Sequence, residues 1–253
     1  MIRGRLLGSA ALPLAEMHRA LIADGTATMV LTGSTGPENT GPENTGVDTH
    51  SRLGQTGHDV LVGAGFAIED LTPDPLGTEF AAGLTRQWTL PDTVATHMRV
   101  LVCGLNPSPA AADSGVGFAR PGNRFWPAAQ AAGLVTVDRD PRHALTQHGV
   151  GMTDLVKRTT RRADELDRDE YVEGTERVRR LVERLRPEVV CFVGLSGWRA
   201  AIDRRAVAGW QTSTFGDRPT YVMPSTSGLN AHETVQTLTA HLRSVVEDTD
   251  RSS

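Results

Sequence analysis

The tetrapeptide Gly104-Leu105-Asn106-Pro107 closes the apolar run Val100-Leu101-Val102-Cys103, and Phe118 follows Asn106 after twelve residues, at the head of Phe118-Ala-Arg-Pro-Gly-Asn123-Arg-Phe-Trp126. A buried strand ending in a glycine turn puts the next side chains at the carboxyl edge of a sheet, where open α/β folds bind their ligands. A carboxamide placed there accepts a hydrogen bond from water through its oxygen and donates through its nitrogen, but it takes no proton at neutral pH. Asn106 therefore suits holding a water in position rather than deprotonating it. Phe118 offers a flat face to a planar ring, and Phe125 and Trp126 suit the core beneath it. Taken singly, Asn106 also reads as a turn former before Pro107, and Phe118 as an ordinary core aromatic.

Two later segments carry further candidates. In Gly149-Val-Gly-Met-Thr-Asp154-Leu-Val-Lys157-Arg158-Thr-Thr160, Asp154 is an acid that could activate a water, or else a helix cap or a partner for Arg158. Lys157, Arg158, Arg161 and Arg162 form a basic cluster able to meet phosphates. Met223-Pro-Ser225-Thr-Ser227-Gly228-Leu229-Asn230 is rich in small turn-forming residues and ends in an apolar tip, Leu229, with Ser or Asn also available to cap the helix that follows.

Positioning these residues requires a scaffold, and the pattern from Leu84 onward supplies one. Val100–Cys103, Val189–Val193 and Thr220–Met223 are apolar, β-branched runs that read as strands buried on both faces. Arg124–Ala132, Arg168–Leu185 and Ala231–Val246 have helical spacing between them. Alternating elements of this kind predict a doubly wound α/β domain with a mostly parallel sheet. Cys103 and Cys191 fall inside two of the strands, which predicts buried, reduced thiols.

The front segment reads differently. Residues 1 to about 83 show little periodicity and contain the tandem repeat Gly36-Pro-Glu-Asn-Thr40, Gly41-Pro-Glu-Asn-Thr45, so a linker disordered from about 32 to 58 is expected, with a weak amphipathic helix near Leu12 to Ala23. The opening residues have the flavour of a signal peptide, but the apolar stretch is short and broken by Gly8, Ser9 and Pro13. No apolar run reaches the roughly 18 residues of a membrane span, so a soluble, cytoplasmic protein is expected. The net charge of −4 argues against nucleic acid at first sight, yet residues 1–96 carry 5 basic and 11 acidic groups whereas residues 97–253 carry 21 and 19. The acidity belongs to the front segment, and the rest is compatible with a DNA-binding face. The eight histidines are scattered without metal-ligand spacing, and Gly63-Ala-Gly-Phe lacks the third glycine of a dinucleotide fingerprint.

Together, the Asn106, Phe118, Asp154 and Leu229 segments resemble the mismatch-specific uracil-DNA glycosylase and thymine-DNA glycosylase family (family 2 of the uracil-DNA glycosylase superfamily), over about Leu84 to Val246. The family signature reads Gly-Ile-Asn-Pro-Gly, then an aromatic, then Pro-x-Asn-x-Phe-Trp. The resemblance implies a three-layer α/β/α sandwich, extending over residues 84–248 and preceded by a largely disordered segment 1–83. It implies an enzyme acting on G·U or G·T type mismatches in double-stranded DNA, without cofactor or metal and as a monomer. Asn106 then positions the water, Phe118 stacks on the extracted base, and Gly104, Leu105, Ser108, Asn123 and Ser225 shape the base pocket. Ser227, Gly228, Leu229, Asn230, Lys157 and Arg158 are the expected DNA contacts, with Leu229 as the wedge.

Departures from the family pattern refine these expectations. Uracil-only members carry tyrosine where Ser108 stands, so the small serine implies tolerance of larger 5-substituents. Faster members place histidine at the Ser225 position, which implies slow turnover here. Bacterial members have arginine where Ala231 stands, and Asp154 replaces the usual Asn or Lys. Two other classes fit parts of the pattern: a non-catalytic damage-binding protein, and a nucleosidase acting on free nucleosides.

Overall fold

In the computed structural model, which describes residues 2–5, 11–21, 25–32, 48–73 and 79–252, the chain divides into two units, residues 1–88 and 89–253. The first contains β1 (Ile2–Arg5), α1 (Ala11–Ala20), β2 (Thr26–Thr32), α2 (Asp48–Gly63), β3 (Phe66–Pro73) and β4 (Glu79–Arg86). Its sheet runs β1-β2-β4-β3, parallel only between β1 and β2. Alternate strand residues Ala82 and Leu84 meet Leu14, Leu61 and Phe66 in one apolar cluster. α1 falls where a weak helix is expected. α2 begins inside the stretch expected to be linker, because Val60, Leu61 and Ala64 find tertiary burial that composition alone does not announce. The repeat at 36–45 lies outside the described residues.

The second unit contains β5 (Val100–Gly104), α3 (Pro109–Ser114), α4 (Phe125–Ala131), α5 (Pro141–His148), β6 (Val150–Asp154), α6 (Arg168–Leu185), β7 (Val189–Val193), α7 (Leu195–Ala201), β8 (Gly209–Trp210), β9 (Thr220–Met223) and α8 (Val235–Ser252). Five strands pair in the order β6-β5-β7-β9-β8, all parallel except β8. Because side chains alternate across each strand, Val100, Val102, Cys191, Val193, Tyr221 and Met223 pack on one face against α4 and α8. On the other face Phe192 meets Trp198 of α7 and Phe215, and Arg179 of α6 stacks over Phe215 at 4.7 Å. This is the expected α/β/α layering. Cys103 and Cys191 are buried and free; Cys103 pairs in register with Phe192, which sends the two thiols to opposite faces.

The three strands and three long helices read from the sequence are all present, and β6 and β8 are additional. The last helix starts at Val235 rather than Ala231. The Thr234 hydroxyl accepts the Thr237 N–H at 3.2 Å and its carbonyl the Leu238 N–H at 3.1 Å, fixing the first turn there. The helix also runs past Val246, held by Arg99, which donates to Thr249 Oγ1 at 2.8 Å and pairs with Asp250. No described helix is long and apolar enough to cross a membrane. The chain after β5 returns on one face through α4, and the chain after β6 and β7 on the other, so a crevice opens at the carboxyl end of β5.

Candidate active site

β5 and β6 run in register so that Gly104 lies opposite Asp154 at their carboxyl ends. Two residues beyond Gly104, the Asn106 Nδ2 donates to the Arg158 carbonyl at 3.0 Å, to Thr160 Oγ1 at 2.8 Å and to the Pro107 carbonyl at 3.3 Å. A carbonyl only accepts, so the amide is oriented with its nitrogen inward and its Oδ1 left as an acceptor. Ser108 starts α3, its Oγ accepting the Ala111 N–H at 3.3 Å with Pro109 in the first turn. Leu105, Asn106 and Ser108 line a cavity of about 780 Å³.

Phe118 lines the same cavity. Its φ of 59° lies in the left-handed region that a bulky residue adopts only when its surroundings enforce it. Here the ring stacks on Phe125, centroids 4.2 Å apart and planes within 23°. Phe125 and Trp126 are fully buried beneath, and the Trp126 indole donates to the Gly117 carbonyl at 2.8 Å. One face of Phe118 is thereby covered while the ring still borders the cavity. Asn123 also lines it and opens α4, its Oδ1 accepting the Phe125 N–H at 2.9 Å.

Asp154 forms part of the cavity wall and is almost fully buried. A β-carbon on Gly104 would lie 2.4 Å from its Oδ1 and 3.4 Å from Phe118 Cζ, so only glycine lets the carboxyl and the ring approach this closely. Burial pushes the Asp154 carboxyl up to about 6, with Asp92 reinforcing the rise and Lys157 and Arg177 opposing it. Behind it lies a buried ion cluster. Asp92 pairs with Lys157 and with Arg177, each at 2.9 Å, and Arg177 also donates to the Asp154 carbonyl at 2.7 Å. Burial alone would raise the Asp92 pKa, but the two cations outweigh it and hold this carboxyl below its usual value. The end of β6 is thus gripped by a guanidinium.

The loop after β9 closes the cavity with Ser225, Ser227, Leu229 and Asn230. Leu229 is 73% exposed at its tip. The Ser227 Oγ accepts the Leu229 N–H at 3.3 Å, and the Asn230 amide donates to the Ser225 carbonyl at 3.0 Å. Gly228 does not line the cavity but packs against the backbone of Gly122, where a β-carbon would lie 2.8 Å from the Gly122 carbonyl oxygen.

Two of the expected DNA contacts, Lys157 and Arg158, have partners within the protein. Lys157 points inward, to Asp92 and the Leu90 carbonyl. Arg158 makes a two-pronged pair with Glu170 at 2.7 and 2.8 Å and donates to the Glu165 carbonyl at 2.6 Å. That also removes it as a partner for Asp154. Arg120 and Arg161 instead line the cavity, and neither guanidinium is engaged elsewhere among the described residues. Asp92 and Arg177 carry no motif and gave no sequence signal; they are 85 residues apart in the chain.

The site thus combines a fixed amide acceptor, an aromatic ring, a buried carboxyl and an exposed apolar tip. It has the means to hold a planar base and orient a water. A solution NMR structure of a candidate uracil DNA glycosylase from Methanosarcina acetivorans is similar, with 20% identity and a TM-score of 0.43 over 62% of this chain and 97% of that one. The family model described as the uracil DNA glycosylase superfamily matches residues 91–249, nearly all of the second unit, and the chain belongs to that superfamily.

Proposed function

We propose that the chain is a monofunctional DNA glycosylase that hydrolyses the N-glycosidic bond of uracil, and of thymine or some modified pyrimidines, mispaired with guanine in double-stranded DNA. It would work as a monomer in the cytoplasm and begin base excision repair. The observation that carries this reading is the single cavity shared by Asn106, Phe118 and Leu229.

Leu229 enters the base stack as the nucleotide swings out, an extrusion that costs a few kcal/mol. The base stacks on Phe118. Asn106 Oδ1 accepts a hydrogen bond from a water and holds it beneath the sugar carbon. As the C1′–N bond breaks, its electron pair leaves with the base, the sugar gains oxocarbenium character, and the water oxygen bonds to C1′. Asp154, when ionised, takes the proton that the water sheds. The base leaves as an anion and takes up a proton from solvent, Asp154 returns its own to solvent, and the products are the free base and an abasic site.

The test is excision from a labelled G·U duplex by the wild type and by Asn106→Ala. Wild-type excision with a loss of about 100-fold or more in the variant is expected, the scale of a mispositioned reactant. Binding without cleavage by both proteins would favour a damage reader. Action on free nucleosides, without steep salt dependence, would favour a nucleosidase.

A further inference from the structure

We infer that Arg124 is a positioning residue for duplex opening, holding the Leu229 loop in the shape that drives the wedge. The inference rests on the wedge role proposed above for Leu229. Arg124 sits at the start of α4, on the turn that follows Phe118, and its guanidinium reaches across to the loop after β9. It donates to the carbonyls of Ser227, Asn230 and Glu233, the Asn230 contact at 2.7 Å. Its own backbone N–H donates to the Thr226 carbonyl at 2.9 Å. Three carbonyls that flank Leu229 on both sides therefore converge on one cation.

Apart from Arg124, only local bonds hold the loop among the described residues. Residues 224–234 contain no helix or strand, and their other bonds are short-range ones, among Ser225, Ser227, Leu229, Asn230 and His232 around the tip and from Glu233 and Thr234 to Thr237 and Leu238 in the first turn of α8. An exposed leucine on an unrestrained loop would lose much of its contact energy to ordering when it entered a base stack. Clamped, it meets the duplex already arranged. The planar fork of arginine is what permits several carbonyls to be bound at once, and lysine supplies only a point donor. Gly228 provides an independent handle on the same contact. A methyl there would press on the Gly122 carbonyl oxygen and lift the loop from the turn, with the Arg124 side chain itself unaltered.

Two measurements test this. Amide hydrogen exchange on the free protein should show protection across 225–233 falling at least about fivefold in Arg124→Lys and in Gly228→Ala, with β5 and β7 unchanged. Unaltered exchange in both variants overturns the clamp, whatever the enzyme does. On a G·U duplex, Arg124→Lys and Leu229→Ala should each lower kcat/KM by about 10- to 100-fold, and the double variant should fall no further than the worse single. Additive losses, or undiminished excision by Arg124→Lys, overturn the positioning role. Absence of excision by the wild type would instead sink the proposed function and leave the exchange result standing.

Discussion

Asn106 and Thr160 share a hydrogen bond whose direction is fixed by its neighbour. Thr160 Oγ1 gives its one proton to the Arg162 carbonyl at 2.8 Å, so it must accept from Asn106 Nδ2, also at 2.8 Å. The hydroxyl thereby selects the amide orientation that leaves Oδ1 as the acceptor.

Thr160→Val keeps the shape and removes the acceptor. The amide then loses one of the bonds that discriminate between its two orientations, and excision should fall by about 10- to 100-fold, as expected for a misplaced reacting group. Thr160→Ser restores the hydroxyl and should recover most of the rate. Single-turnover excision from a G·U duplex checks both, and equal rates in the Ser and Val variants would contradict the orienting role.

Asp154 provides a test in which stability and activity move in opposite directions. A carboxyl whose folded pKa is raised to about 6 binds its proton more tightly in the native state, so stability is greatest below the unfolded value and falls as pH rises towards 6. The rise of roughly two units corresponds to about 3 kcal/mol of destabilisation once the group is ionised. Asp154→Asn should therefore be more stable than the wild type at pH 7.5, by up to that amount, and no more stable near pH 4. Excision should do the reverse, rising through about pH 6 in the wild type and losing that rise in Asn. Denaturant unfolding and rate measurements across pH 4–8 check the two halves separately. A variant neither stabilised nor slowed at pH 7.5 would remove Asp154 from both arguments.

The segments that carry local signals are legible in the sequence. β5, β7, β9 and α6 follow from apolar runs and helical spacing, whereas the grouping of Ser225 and Leu229 with Asn106 and Phe118, all four of which line one cavity, follows only from the family resemblance. What was hidden depends on distance along the chain. Lys157 and Arg158 look like solvated cations, and only the fold brings Asp92 and Glu170 against them. Arg124 stands beside Phe125 and Trp126 at the start of a helical span, and its acceptors are 103 to 109 residues away. β6 gives no strand signal because Gly151, Thr153 and Asp154 interrupt its apolar character, although all five residues are buried.

Ser108 stands two residues after Asn106 and borders the same cavity. It lines the space with a hydroxymethyl group while its Oγ caps α3. The wild type should accept a 5-substituted pyrimidine opposite guanine, and Ser108→Tyr should narrow the choice to uracil by filling that space. The same substitution removes the helix cap, costing about 1 kcal/mol, so the comparison is the ratio of rates on substituted and plain uracil duplexes at a temperature where both proteins are folded. A ratio unaffected by the tyrosine would show that the 5-substituent points elsewhere.

Arg120 and Arg161 should meet the DNA backbone, because they border the cavity and no ion pair among the described residues takes up their charges. Each phosphate contact adds close to 0.9 to the slope of log affinity against log salt. Arg120→Gln and Arg161→Gln should each flatten that slope by about 1 and weaken binding alike on mismatched and perfect duplexes. Arg158→Gln is the contrast. Its guanidinium is bound to Glu170, which the pairing holds below its usual pKa, so it has no free charge to offer. Its slope should match that of the wild type. Fluorescence anisotropy titrations between 50 and about 200 mM salt, the range over which such contacts shift affinity strongly, distinguish the two groups, and a slope change confined to Arg158→Gln would place the backbone on the far side of the 160–166 turn.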